Sequence, residues 1–285
     1  MAIGQSITSA RTLHAAGHLK DKKTMRLPIY QVDAFTDTLF EGNPAAVILC
    51  ENALSDAVMQ SIAAENNLSE TAFVMGNLDS LSIRWFTPTV EVDLCGHATL
   101  AAAHILFEKH GDMDGGLAFD SRSGILRVRK EKALIWLDFP MDRLTQVEPF
   151  PEALIEGLAI QPREVYRGRD DYLAILDDEK AISTLRPDLS AISRLSCRGV
   201  IVSAQGNEAD FVSRFFAPQS GVPEDPVTGS AHTTLTPYWS KRLGKKKMRA
   251  KQLSFRGGML FCENHGERAG IGGSAVTYLK GEITI

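Results

Sequence analysis

Two short segments of this chain carry the residue types that proton chemistry needs: LCGHAT at residues 94–99 and DPVTGSAH at residues 225–232. Each leads from a loop into a stretch with helical spacing of apolar residues, so each reads as a helix start. The first turn of a helix leaves main-chain N–H groups without partners and carries the positive end of the macrodipole, which makes it an anion site. Gly96 and Gly229 let a ligand approach the backbone closely. Two such starts facing one cleft grip a carboxylate together with the oxyanion or enol formed from it. Groups of different proton affinity stand around them: Glu70, His97, Asp225, Ser230 and Cys95. For proton transfer at carbon, enclosure in a dry cleft raises the basicity of a carboxyl group toward the working pH, and that selects Glu70 as the base. Asp225 and Ser230 also fit as caps of the second helix, and Cys95 fits as a small buried hydrophobe.

The two helix starts are copies. Residues 76–88 read GNLDSLSIRWFTP and residues 206–218 read GNEADFVSRFFAP, with Gly76/Gly206, Asn77/Asn207, Arg84/Arg214, Phe86/Phe216 and Pro88/Pro218 all separated by 130 positions. After a three-residue insertion the match resumes at 133 positions with Gly96/Gly229, Ala98/Ala231 and Gly111/Gly244. A turn, strand, loop and helix therefore occur twice. The period far exceeds that of solenoid repeats, so the chain reads as two similar halves with a cleft between them.

The elements that must position these groups follow from patterning. Residues 27–35 alternate as a strand, and Gly42-Asn43-Pro44 turns into the apolar run 45–49. Ser55 is placed to cap a helix with Val58, Met59, Ile62 and Ala63 on one face, and Leu54 with Met59 forms a hydrophobic staple. Glu70 then falls at the junction between that helix and a strand over 72–75. The spacing predicts a strand over 82–86, a helix over 96–110 closed by Gly111, and strands over 117–120, 125–130 and 133–139. The helix is apolar on every side, so it is to be buried on every side.

In the second half the predicted strands are 172–176, 199–204 and 210–216, then a helix over 230–243 with Pro237 inside it, then strands 253–255, 259–263, 268–271 and 275–280. The basic run Lys245, Lys246, Lys247, Arg249 and Lys251 reads as a solvated helix end and loop. Each half is mostly strand around one apolar helix. The physical solution is an α+β fold of two similar domains, each a curved sheet or open barrel around a central helix. The boundaries fall at 1–24 for a tail, 25–142 for the first half-domain and 143–285 for the second, with the strand 275–285 available to complete the first.

Composition narrows the function classes. Among 285 residues the net charge is -4, which gives no field for nucleic acid, and no apolar run approaches the ~20 residues of a bilayer span. Cys50, Cys95, Cys197 and Cys262 form no CxxC pair, which argues against zinc ribbons and redox dithiols. GIGGSA at 270–275 lacks the third glycine and following helix of a dinucleotide fingerprint. His104 shares a helix face with His97, but no acid or further histidine completes a metal set, so neither metal nor organic cofactor is expected. The first 24 residues lack the apolar core of a secretory signal, and a cytoplasmic location is expected.

The segments VDAFTDTLFEGNPAAVI, SETAFV, CGHATLAAA and DPVTGSAH, in this order, resemble the PhzF family of phenazine-biosynthesis-type isomerases. The resemblance runs from about Met25 to the C-terminus. It implies the pseudo-twofold diaminopimelate epimerase-like fold, a homodimer, a small carboxylate-bearing substrate and cofactor-free isomerisation. It further implies that Glu70 is the acid/base and that His97, Asp225 and Ser230 position, polarise or relay protons. Cys95, Gly96, Ala98 and Gly229 would line the substrate site, the glycines as backbone donors. Related epimerases and racemases of this fold use two facing cysteines. Here Cys95 has no thiol in the second loop to face it, which leaves an epimerase or racemase, and a silent ligand- or partner-binding protein, as the alternatives.

Overall fold

The computed structural model describes residues 24–285. Of the tail read at 1–24, all but Thr24 lies outside them. The first half contributes β1 (Arg26–Ala34), β2 (Asn43–Cys50), α1 (Asp56–Asn66), β3 (Glu70–Asn77), β4 (Ser80–Phe86), the short β5 (Glu91–Val92), α2 (Gly96–His110), β6 (Leu117–Asp120), β7 (Leu126–Glu131) and β8 (Leu134–Pro140). The second contributes β9 (Thr145–Gln146), α3 (Glu152–Leu158), β10 (Glu164–Arg167), β11 (Asp171–Ile175), α4 (Glu179–Thr184), α5 (Leu189–Ile192), β12 (Gly199–Gln205), β13 (Phe211–Phe216), α6 (Ala231–Leu243), β14 (Lys247–Gln252), β15 (Gly258–Asn264), β16 (Arg268–Gly273) and β17 (Ala275–Thr284).

Strand pairing gives the pseudo-twofold directly. The ladder β17-β1-β2-β3-β4-β6-β7-β8 meets its copy β9-β10-β11-β12-β13-β14-β15-β16 through the antiparallel β8–β16 pair. In each ladder the third and fifth pairs match: β2–β3 and β4–β6 are parallel, as are β11–β12 and β13–β14, and every other pair is antiparallel. Parallel neighbours need a crossover. α1 and α2 supply the two crossovers of the first half, and α4–α5 and α6 those of the second. The outer strand of the first ladder comes from the far end of the chain, β17 pairing with β1, while β9 opens the second half and pairs with β10.

The two long helices sit inside. Ala98, Leu100–Ala103 and Ile105–Phe107 of α2 join Leu235, Tyr238 and Trp239 of α6 in one apolar core. Fully buried side chains such as Leu100 and Ile105 each stabilise the fold by about 1.5–3 kcal/mol. The shorter helices cover the outside of the sheets, α1 over one cluster with β2, β3 and β4, and α3–α5 over another with β11–β13. Ser55 caps α1 by accepting the Val58 N–H at 3.4 Å, as its spacing predicts. Among the described residues no helix is long and apolar enough to cross a membrane.

Several local readings change. The basic run is helix end and loop only through Lys246: Lys247, Arg249 and Lys251 line the exposed face of β14 while Met248, Ala250 and Gln252 are buried, a strand whose inward face is too short of large apolar residues to announce itself. Leu253–Phe255, read as a strand, forms a bend in which Phe255 is fully exposed. Pro237 lies inside α6 and leaves the Thr233 carbonyl without its helical donor, and the Asp142 N–H fills the place at 3.3 Å. The glycines of GIGGSA are packing residues, since a β-carbon would lie 2.8 Å from the Trp136 ring at Gly272 and 2.4 Å from Phe35 at Gly273.

Candidate functional site

Glu70 opens β3 and pairs with Ala45 of β2, while Asn43 opens β2 opposite Ala34 of β1. Both strand ends deliver their side chains to the start of α2. There His97 Nε2 lies 3.1 Å from Glu70 Oε2, within ion-pair range. The pair is not aligned as a hydrogen bond, and Oε2 is buried with no donor. On the other edge of the ring, His97 Nδ1 lies 3.5 Å from Cys95 Sγ and 3.2 Å from Asn43 Nδ2.

Asn43 is the bridge between the halves. Its amide nitrogen donates to Asp225 Oδ1 at 2.8 Å and to the Val227 carbonyl at 2.9 Å. Two oxygens at that position require nitrogen there and use both of its hydrogens, so His97 Nδ1 receives none. Asp225 Oδ2 accepts from Thr228 Oγ1 at 2.5 Å, and Gln252 donates to the Asp225 carbonyl. The structure thus brings Glu70, Cys95, His97 and Asp225 into one network.

Electrostatics within it are uneven. Burial first, then the Glu70 charge, pushes the Cys95 thiol up to about 11, so it stays protonated at neutral pH. Burial opposes charging His97, yet its proton affinity stands well above the usual imidazole range. Of its neighbours, Cys95 first and Glu70 second raise it against that burial. Asp225 is partly buried as a residue, but its carboxylate is enclosed, and burial raises its proton affinity against the pull of His97, Thr228 and Asn43.

Ser230 stands apart. Its hydroxyl accepts from Arg198 Nη1 at 3.0 Å, and Arg198 forms a two-pronged pair with Asp171 while stacking 5.3 Å from the Phe215 ring centre. Arg198 lines a cleft of about 930 Å³ with Gly96, Ser230, Phe139, Met141 and Asp142. This cleft meets the network only at the helix starts, because Glu70, His97 and Asp225 are not among its walls. Those starts touch: a β-carbon on Gly96 would sit 3.5 Å from the Gly229 Cα.

A protein-family model described as phenazine biosynthesis-like protein (PhzC-PhzF) matches residues 32–281. The chain belongs to this family. An uncharacterized isomerase of Pseudomonas aeruginosa is 52% identical over 261 residues, 91% of this chain and 99% of that protein. The crystal structure of a phenazine biosynthesis protein of the PhzF family from Enterococcus faecalis superposes with a TM-score of 0.88 at 46% identity, covering 92% of this chain and all of that one. A hydroxyproline epimerase from Agrobacterium vitis shares the fold at 10% identity and a TM-score of 0.56, over 91% of this chain and 93% of that one.

Within this PhzC-PhzF chain, sequence reasoning missed Asn43 and Arg198. Asn43 lies in the quoted GNPAAV segment, where it reads as an ordinary turn residue. Arg198 lies between elements that carry no motif. The repeat interval of 133 pairs Cys95 with Thr228, so a hydroxyl stands where a second thiol would face the first. Glu70, Cys95 and His97 also have donor atoms within 4.8 Å of one another, a convergence that spacing alone does not reveal. His104 is engaged elsewhere, with Thr277 at 3.0 Å.

His232, one turn into α6, sets an acid limit. Its Nδ1 contacts the Thr228 carbonyl at 2.8 Å, its Nε2 is buried without a partner, and burial lowers its pKa to about 4. The unfolded chain therefore binds more protons here between about pH 6.5 and 4, so the stability contributed by neutral His232 is present above that window and is lost as pH falls through it. His232→Gln is expected to flatten the fall in Tm across that window relative to the parent. An unchanged Tm slope would place the acid sensitivity elsewhere.

Proposed function

We infer that this protein is a cofactor-independent isomerase that relocates a proton within a small carboxylate-bearing metabolite, with Glu70 as acid/base. The observation that carries this reading is the orphaned Oε2 of Glu70, buried 3.1 Å from the His97 ring at the point where both helix starts meet. Glu70 removes a proton from a carbon conjugated with the substrate carboxylate, and the C–H electron pair enters the conjugated system as an enolate. Collapse of the enolate returns the Glu70 proton to a different carbon. One C–H bond is broken and one formed, the double bond shifts, and no electrons leave the substrate.

Protonated His97 and the main-chain N–H groups at Gly96, Ala98 and Gly229 offset the enolate charge. Asp225 and Ser230 hold the substrate from the second half, and Cys95, a neutral thiol, packs beside it. A β-carbon at Gly96 or Gly229 would make only ordinary contacts, and neither residue has a positive φ. Glycine at both positions lets the two helix starts approach each other closely.

A one-thiol epimerase is the second reading, favoured by Cys95 lying against His97 at 3.5 Å. Turnover in heavy water separates the two, once a thermal-shift screen of aromatic and amino-acid carboxylates has supplied a substrate. Deuterium at a new carbon is the expected result. Deuterium only at an inverted stereocentre would replace isomerisation by epimerisation, and binding with no product formed would leave a silent binding protein.

A further inference from the structure

Two identities of the internal repeat, Arg84/Arg214 and Phe86/Phe216, play no part in the proton chemistry, yet the same device is built on them in each half. Arg84 donates from Nε and Nη2 to both carboxylate oxygens of Glu91, each at 2.7 Å. Arg214 does the same to Glu224 at 2.7 and 2.9 Å. The guanidinium groups stack on the phenylalanine two residues on, 5.2 Å from the Phe86 ring centre and 4.9 Å from that of Phe216. The arginines are 130 positions apart and the glutamates 133, so the pairing is kept across the insertion that separates the two registers. Glu91 precedes Cys95, and Glu224 precedes Thr228, by the same four residues.

Each arginine also reaches the outer layer. Arg84 donates to Asp56 at the start of α1 at 2.8 Å, and Arg214 to the Ile182 and Leu185 carbonyls at the end of α4 at 3.2 and 2.9 Å. The pairs are well enclosed, Glu91 having 12% and Arg214 10% of its side chain exposed. A two-pronged guanidinium–carboxylate pair fixes plane as well as distance. We propose that Arg84–Glu91 and Arg214–Glu224 are positioning clamps, one per half, that set the two helix starts and thereby hold His97 against Glu70 and Asp225 against Asn43. This rests on the reading of that network as the reacting set, and the residues act through it rather than on the substrate.

The test follows the titration of His97 by NMR in histidine-labelled protein, which needs no substrate and so stands or falls apart from the isomerase reading. Arg84→Lys and Arg214→Lys keep the charge but replace the fork with a point charge. Each is expected to fold and to weaken proton binding at His97 by about tenfold, a shift of about one in its pKa, as the carboxylates around the ring move away. Glu263→Gln is the control: it removes a 6% exposed carboxylate paired with Lys247 and Arg129, and is expected to lower Tm without moving the His97 titration. Should a lysine variant fail to fold, Glu91→Asp and Glu224→Asp, which withdraw the carboxylate by one methylene, are read in the same way. A His97 titration unmoved in folded clamp variants, or moved equally by Glu263→Gln, overturns the proposal and leaves the pairs as ordinary stabilising contacts.

Discussion

Glu70→Gln is expected to lower turnover by about 10²–10⁴-fold, the usual contribution of a positioned general base, while ligand affinity changes little. The substitution keeps the side chain's shape and removes only its charge and its proton exchange. It also carries a signature in the resting protein. The Glu70 charge raises the proton affinity of both Cys95 and His97. Without it the buried imidazole loses one of the two neighbours that raise its proton affinity, Cys95 being the other, and gives up its proton more readily, while the Cys95 thiol, now at about 11, ionises at lower pH. Thiol alkylation against pH and histidine NMR report these two shifts independently of any assay. Turnover at the parental rate in Glu70→Gln would remove Glu70 from the mechanism, and resting titrations that do not move would show that the carboxylate is screened from its neighbours.

What the sequence could disclose depended on whether a feature repeats or is local. The α+β class and the pair of inner helices were legible because α2 is apolar on every side and because the segment around β4 recurs around β13. Cys95, Gly96 and His97, like Gly229 and Ser230, were placed at helix starts by simple capping and periodicity arguments. Three things were not legible. Of the elements between β9 and β12 only β11 was read, because α3, β10, α4 and α5 are short and built on scattered apolar residues. β14 hides its alternation behind lysines and arginines, because only Met248 and Ala250 are apolar on its inward face. The network itself joins residues 27 to 182 positions apart, from Glu70 to His97 and from Asn43 to Asp225, and nothing in local spacing encodes contacts made when two halves close on each other. Ser230 shows the converse: its place at the helix start was correct, but its hydroxyl is taken by Arg198, on the cleft side of the Gly96–Gly229 contact.

Asn43 makes the second large prediction. It is fully buried, and its two donated hydrogen bonds reach a carboxylate and a main-chain carbonyl of the opposite half. Asn43→Ala deletes both, one of them to a charged group, and leaves Asp225 with Thr228 as its remaining side-chain donor. The expected loss is about 2–4 kcal/mol of folding stability, read as a lower urea midpoint with the m-value preserved. Because the Asn43 N–H favours the ionised form of Asp225, the proton affinity of Asp225 is expected to rise further in the variant. Asn43→Asp is the sharper control. It puts a second carboxylate against the first, and the two repel when both are ionised but are relieved when they share a proton, so its destabilisation is expected to be greater at about pH 8 than at about pH 5. A loss below about 0.5 kcal/mol in Asn43→Ala would mean that the halves are held together by the β8–β16 pair and the shared core alone. The bridge at the site would then matter for where Asp225 sits and not for whether the fold closes.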